Sequence, residues 1–231
     1  MNVVKAVFVK QAKDTLRNPA VLVMYIIFPA VALVMTELVV GQNDAIPPNM
    51  FVSMMGSIFA GMALITSMSG VIAEDIEKKS LRFLVIAGVK PRQYLLGTGG
   101  FIFCAGAVTS LLFALIGTFT AAEFAKFLAV MVGSVAASTL LGATIGVLSK
   151  NLQAATAIGM PIAMIIGFTP MIASFNKTVE KYAGLLYTQQ LNVIVNNLAA
   201  DAVKPLLVIA INIVVLAVLF TFAYSRRGLR A

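Results

Sequence analysis

Apolar runs of bilayer-crossing length alternate with short polar breaks along the whole chain. The runs fall at residues 21–40, 51–72, 98–120, 127–148, 154–175 and 206–224, and a helix needs about 20 apolar residues to cross the hydrocarbon core. The pattern predicts an all-α membrane protein with six transmembrane helices. Pro29 should kink the first span, and Pro161 together with Gly167-Phe168-Thr169-Pro170 should interrupt the fifth and stop it short of its outer end. In the fourth, Gly142-x-x-x-Gly146 with Gly133 and Ala137 forms a small-residue stripe, suited to packing within the chain more than to dimerisation.

Ahead of the spans, residues 1–18 read as a separate interfacial amphipathic helix, and residues 19–231 as the six-span domain. Val4, Val7, Phe8, Ala12 and Leu16 lie near one helical face, and Lys10, Lys13 and Arg17 on another. Such a helix is expected to lie in the membrane interface, apolar side down, with its cations among headgroups. It is too long and too amphipathic for the charged start of a signal peptide. On the far side, residues 41–50 (with Asp44) form a short loop and Glu123 with Lys126 a tight turn. Residues 176–204 are too long for a turn and too polar to span, yet apolar enough to fold back into the outer leaflet as a re-entrant hairpin.

The longest charge-rich segment between spans is residues 73–97, AEDIEKKSLRFLVIAGVKPRQYLLG. Leu81, Leu84 and Val85 recur at the spacing of one apolar helical face. Ser80 can cap the start of that helix, Gly88 can end it in the left-handed conformation, and Pro91 cannot continue it. A short helix held between two spans is well placed to dock on a soluble partner.

This island resembles the coupling segment of type-2 ATP-binding-cassette (ABC) export permeases, at Glu74, Glu77, Ser80-Leu81, Leu84, Pro91 and Leu95-Leu96-Gly97. The resemblance covers nearly the whole chain. It implies a cytoplasmic coupling helix between spans 2 and 3 that meets a separate ABC ATPase subunit through Glu77, Ser80, Leu81, Arg82, Leu84, Val85, Gly88 and Pro91. It also implies a homodimer, or a heterodimer with a similar permease, a folded-back hairpin between spans 5 and 6, and export. Where many members have Gly-Thr-Leu, this chain has Lys79-Ser80-Leu81, which suggests a less tightly turned start to the helix.

Composition narrows the chemistry. With 60% hydrophobic and 11% charged residues the chain cannot present an ordinary soluble surface. Its net charge of +8 is spread between spans, so it reports topology and not a nucleic-acid partner. Lys5, Lys10, Lys13, Arg17, Lys78, Lys79, Arg82, Lys90, Arg92, Lys150, Arg226, Arg227 and Arg230 share the side of the N-terminus. Only Lys126, Lys177, Lys181 and Lys204 oppose them, leaving thirteen of the 17 cations on one side. The expected location is the cell membrane, of prokaryotic type, with both termini cytoplasmic.

Histidine is absent and the single cysteine, Cys104, lies in an apolar run. No catalytic residues, metal site or resident cofactor are expected, and intramembrane proteolysis by Ser-His or HExxH chemistry is excluded. Gly97-Thr98-Gly99-Gly100 lacks the Lys-Ser/Thr of a phosphate loop and reads as a flexible start to span 3. ATP and Mg therefore belong to the partner ATPase. Ion-coupled transport would need intramembrane charges, and Glu37, near the outer end of span 1, reads as a headgroup residue. Candidates to line a path for lipophilic or amphipathic cargo, whether a small molecule, a peptide or a lipid, are Met24, Phe28, Met54, Met55, Thr66, Met68, Met164, Phe168 and Met171, with Ser67 and Ser69, since methionine and phenylalanine adapt to shape without imposing hydrogen bonds. The rival reading is a non-transporting membrane scaffold that recruits a cytoplasmic protein through the same island. A channel has little support, because no ring of filter residues stands out.

Overall fold

The computed structural model describes residues 2–43, 45–198 and 201–227, and these form helices joined by short turns, without strands. Asp44 and Arg230 lie outside the described residues. Six helical segments are long and apolar enough to cross a membrane, as the run pattern predicts. Helix α1 (Val3–Leu16) precedes span 1, which is α2 (Pro19–Val39). Span 2 is α3 (Met50–Ile58), a π-helical turn (Phe59–Ala63) and α4 (Leu64–Glu77). After the short α5 (Ser80–Ile86), spans 3, 4 and 5 are α6 (Pro91–Ile116), α7 (Ala121–Leu148) and α8 (Leu152–Ala173). Two short helices, α9 (Lys177–Ala183) and α10 (Tyr187–Asn196), lead to span 6, α11 (Val203–Arg227).

Span 4 is the hub, packed against spans 2, 3 and 6. The small-residue stripe makes this possible within one chain. A Cβ on Gly142 would stand 2.7 Å from the Ile65 carbonyl oxygen, and one on Gly146 would stand 2.8 Å from Ile72 Cβ. Gly133 gives the same close approach to Ile209 of span 6. In span 2 the π turn buries Phe59, whose ring meets Tyr25 and Phe28 of span 1 and Phe113 of span 3 at centroid distances of 5.9, 6.3 and 5.7 Å. Opposite this cluster, a Cβ on Gly61 would lie 2.5 Å from Gly167 Cα. Spans 2 and 5 therefore touch backbone to backbone where the π turn leaves span 2 underwound.

Several expected boundaries move. Span 3 begins at Pro91, because Pro91 fits the first helical turn and the Gln93 side chain accepts the Lys90 amide at 2.9 Å. Gly97-Thr98-Gly99-Gly100 is thus ordinary helix interior, not a flexible lead-in. Span 4 begins at Ala121, because Thr120 and Glu123 cap each other, with the Thr120 amide donating to Glu123 Oε2 at 2.8 Å. Glu123 and Lys126 are consequently helical and form no turn. Helix continuity also survives the prolines: α2 runs through Pro29, and α8 runs uninterrupted through Pro161 and Pro170.

Helix α1 departs from the expected lipid-facing arrangement. Its Val7 is buried against span 3, where a Cβ on Gly97 would lie 2.6 Å from Val7 Cβ, and Phe8 stacks edge-on against Phe101 at 5.5 Å. Leu16, on the same apolar side, is 67% exposed and stays free for lipid. At the opposite end of the bundle, α10 is buried among spans 2, 4, 5 and 6. Its polar side chains have partners inside: Asn192 Nδ2 donates to Ser53 Oγ at 2.8 Å, and Tyr187 and Ser138 share a hydroxyl bond of 2.8 Å.

Candidate functional site

The end of the bundle that carries α1, α5 and the two described termini is rich in cations, and its organising residue is Asp75, in the last turn of span 2. Only 7% exposed, its carboxylate needs compensation, since a buried charge persists only when paired and hydrogen-bonded. Lys10 of α1 donates to Oδ1 at 2.9 Å and to Oδ2 at 3.2 Å. The Ser80 hydroxyl, at the start of α5, donates to Oδ1 at 2.5 Å. The Tyr94 hydroxyl, in the first turns of span 3, donates to Oδ2 at 2.7 Å. One carboxylate therefore ties together α1, span 2, α5 and span 3. Lys10 also pairs with Asp14 at 3.3 Å, so it sits in a bridge and not among headgroups as expected from its helical face.

Helix α5 hangs from this clasp. Lys79 adopts φ 57°, the left-handed region that costs a residue with a Cβ about 1–2 kcal/mol, and its carbonyl accepts the Arg82 amide at 3.1 Å. The turn into the helix is as tight as a glycine would make it, contrary to the looser start suggested by the absence of Gly at this place. Ser80 is not the cap, because it is already the first helical residue, and its hydroxyl donates to Asp75. The far end follows expectation. Gly88 has φ 82°, and the Val89 amide donates to the Leu84 carbonyl at 3.0 Å, closing a Schellman turn before Pro91.

The faces of α5 are reversed from the simplest reading of its periodicity. Leu81 is 2% exposed and Leu84 packs against the core of the membrane domain. Phe83 and Ile86 instead stand 70% and 74% exposed, with Arg82 exposed beside them. Val85 belongs to the helix, but its side chain lies outside the described residues. Glu77 is also occupied, since its Oε2 accepts the Leu152 amide at 2.8 Å and so joins the end of span 2 to the start of span 5. Next to it, Lys78 pairs with Glu74 one turn back, and that bond holds its ammonium above the usual lysine range. Between α1, span 1 and the clasp lies a cavity of about 350 Å³ lined by Gln11, Arg17, Glu74 and Asp75 among others.

The path candidates are not gathered in one place. Met68 is 1% exposed and fills the contact with Gly142. Met24, Phe28 and Met55 pack on the core cluster, and Thr66 donates back to the Met62 carbonyl at 2.7 Å. Ser67 and Ser69 are buried within span 2. Met54 and Met171 do meet, with Met50, in a small cavity of about 40 Å³ at the end opposite the clasp. Met164 is 45% exposed on the outside of span 5, and Phe168 is half-buried. Glu37 is exposed.

Sequence reasoning missed Lys10, Asp75 and Tyr94 as a unit, and Phe83 with Ile86 as a face. For the last pair a signal existed, their i, i+3 spacing. For the clasp no local signal existed, as Lys10 and Asp75 are 65 residues apart.

The ABC-2 type transporter family model matches residues 2–189, a stretch that contains α1, the clasp, α5 and five of the six spans. This chain belongs to the ABC-2 type transporter family. It is thus a multi-pass permease subunit of an ABC transporter, the membrane component and not the ATPase domain, and family membership implies partnership with an ABC ATPase subunit. Comparison with curated proteins gave no match.

Proposed function

We propose that this ABC-2 permease exports a lipophilic or amphipathic cargo, driven by a separate ATPase that docks on α5 at the cytoplasmic face. The observation that carries the reading is the exposure of Phe83 and Ile86, 70% and 74%, on a seven-residue helix whose other face is anchored in the membrane domain. Apolar side chains displayed together beside Arg82 match the aromatic and arginine-rich centres of protein interfaces. The excess of cations at this end supports a cytoplasmic placement of both termini. ATP and Mg are handled by the partner.

The clasp supplies the mechanical link in this proposal. Movement imposed on α5 reaches span 2 through Ser80 and Asp75, span 3 through Tyr94, and span 5 through Glu77 and Leu152. Span 2 carries it to the π turn against Gly167. Two such permeases, alike or similar, would form the complete pathway, with the exposed faces of spans 1 and 5 and the methionines Met54, Met164 and Met171 toward the shared route. That no single described cavity gathers the path candidates fits a route completed by a second subunit.

The test is purification of the native complex in mild detergent, followed by ATP-driven flux into inside-out vesicles. Phe83→Asp with Ile86→Asp should strip the ATPase from the permease and abolish flux, while the six-span domain still elutes as a folded species. Leu84→Arg tests the membrane-anchored face and should also damage the fold of α5. Retention of the ATPase by the double variant would refute docking through this face.

A further inference from the structure

Spans 3, 4 and 6 enclose a groove of about 470 Å³, to which spans 1 and 5 contribute no lining residue. Its walls are apolar, with Leu96 and Phe103 from span 3, Leu140 from span 4 and Phe220 from span 6. Its room comes partly from Gly99, where the absence of a side chain leaves space in front of Met68 and Thr139; a Cβ there would stand 3.4 Å from Met68 Cε. Among the described lining residues Arg92 alone is charged. It lies in the first turn of span 3, at the basic end, and none of the ion pairs among the described residues includes it.

The shape of this feature is that of an amphiphile. From Arg92 to Phe103 along α6 is roughly 16 Å at 1.5 Å per residue, running from the water boundary into the apolar zone. All three enclosing helices are long enough to span, so a groove between them runs along the depth of the bilayer, and Leu96 at its lip is 65% exposed. An inorganic anion would engage Arg92 but leave the walls empty. An uncharged lipid would fill the walls but leave the guanidinium without an anion. A lipid phosphate fits the planar fork of arginine, and its acyl chain fits the trough beyond.

We propose that this groove holds one anionic phospholipid from the leaflet at the basic end, its phosphate on Arg92 and one chain along Gly99 and Phe103. The lipid fills the space between spans 3 and 6 and is distinct from the exported cargo. The inference rests on the membrane-spanning fold and not on the identity of the cytoplasmic partner.

The experiment is native mass spectrometry of the intact complex after exchange into micelles containing dioleoyl phosphatidylglycerol, dioleoyl phosphatidylcholine, or soluble glycerol phosphate. The wild type should retain phosphatidylglycerol preferentially, as should Lys13→Gln, which removes an exposed cation from the same end. Arg92→Gln should retain about fivefold less, the factor corresponding to the ~1 kcal/mol that one cation contributes near an anionic lipid surface. Ala136→Leu, which narrows the groove, should reduce retention of both lipids. Equal retention by Arg92→Gln and the wild type, equal retention of the two lipids, equal binding of glycerol phosphate, or a polypeptide in place of lipid would each overturn the proposal. Because Arg92 is exposed, its variant folds and decides the matter even if the groove-filling variant does not.

Discussion

The Thr188 hydroxyl donates to the Ile166 carbonyl at 2.7 Å, and that carbonyl is the one whose helical donor would have been the amide of residue 170, a proline. The bond crosses from α10 to span 5 and supplies from outside what the helix cannot supply itself. It explains why α8 continues through Gly167-Phe168-Thr169-Pro170 instead of stopping, and it fixes α10 against the span. Replacing Thr188 by Val keeps the shape and removes the donor, leaving a carbonyl unsatisfied in an apolar setting. The expected cost is about 1 kcal/mol, or roughly 2–4 °C in melting temperature at this chain length. Thr188→Ser, which keeps the hydroxyl, should recover most of it. Size-exclusion melting in detergent measures both.

The contact between spans 2 and 5 should respond asymmetrically to the smallest possible change. Gly61→Ala places a methyl 2.5 Å from Gly167 Cα and 2.6 Å from its nitrogen, and backbone cannot yield as a flexible side chain can. Overpacking of this kind costs about 1–3 kcal/mol. Gly167→Ala places its methyl 3.5 Å from Ile58 Cα and 3.6 Å from Met62 Cβ, which is ordinary contact, so that variant should melt close to the wild type. Comparable losses in the two variants would contradict the geometry at the π turn.

The spans were legible because bilayer thickness imposes a run length that few other constraints imitate, and the Gly142-x-x-x-Gly146 stripe was read correctly as intrachain packing. The misread features share a physical origin. A proline reads locally as a break, but Pro170 is rescued by Thr188 across a tertiary contact. The spacing of Leu81 and Leu84 says that they share a face, yet it cannot say what that face meets, and here it meets the membrane domain. Thr120 and Glu123 stand three apart, the spacing of a capping pair, but the apolar run starts only at residue 127 and hides the first turns of span 4. Asp75 looked like one more loop charge until the fold brought Lys10, Ser80 and Tyr94 to it.

Lys79 stands in a conformation that suits glycine. Lys79→Gly removes the left-handed cost of about 1–2 kcal/mol, offset by about 0.5–1 kcal/mol of extra chain freedom lost on folding. A small net gain is expected, seen as a rise of a few degrees at most in the melting temperature of the isolated permease. Lys79→Val, with a branched side chain at the same φ, should lower it. A rise in both variants would mean that the backbone here is not held left-handed in the protein.

The clasp predicts a separation between assembly and coupling. Asp75→Asn keeps the volume and a carbonyl for Tyr94 but removes the charge that holds Lys10. Lys10 is 34% exposed and retains Asp14, so the released cation is solvated and the cost stays well below that of a fully buried broken pair. About 1–2 kcal/mol is expected, against ~1 kcal/mol for Tyr94→Phe, which loses a single hydrogen bond. A double-mutant cycle with Lys10→Gln isolates the pairwise part. If α5 drives the spans through this carboxylate, Asp75→Asn will still bind the ATPase, because Phe83 and Ile86 are untouched, yet cargo moved per ATP hydrolysed will fall severalfold in proteoliposomes. Unchanged transport per ATP in a variant with lowered melting temperature would leave Asp75 as a purely structural tie, and the link from α5 to the spans would then have to run through Leu81 and Leu84.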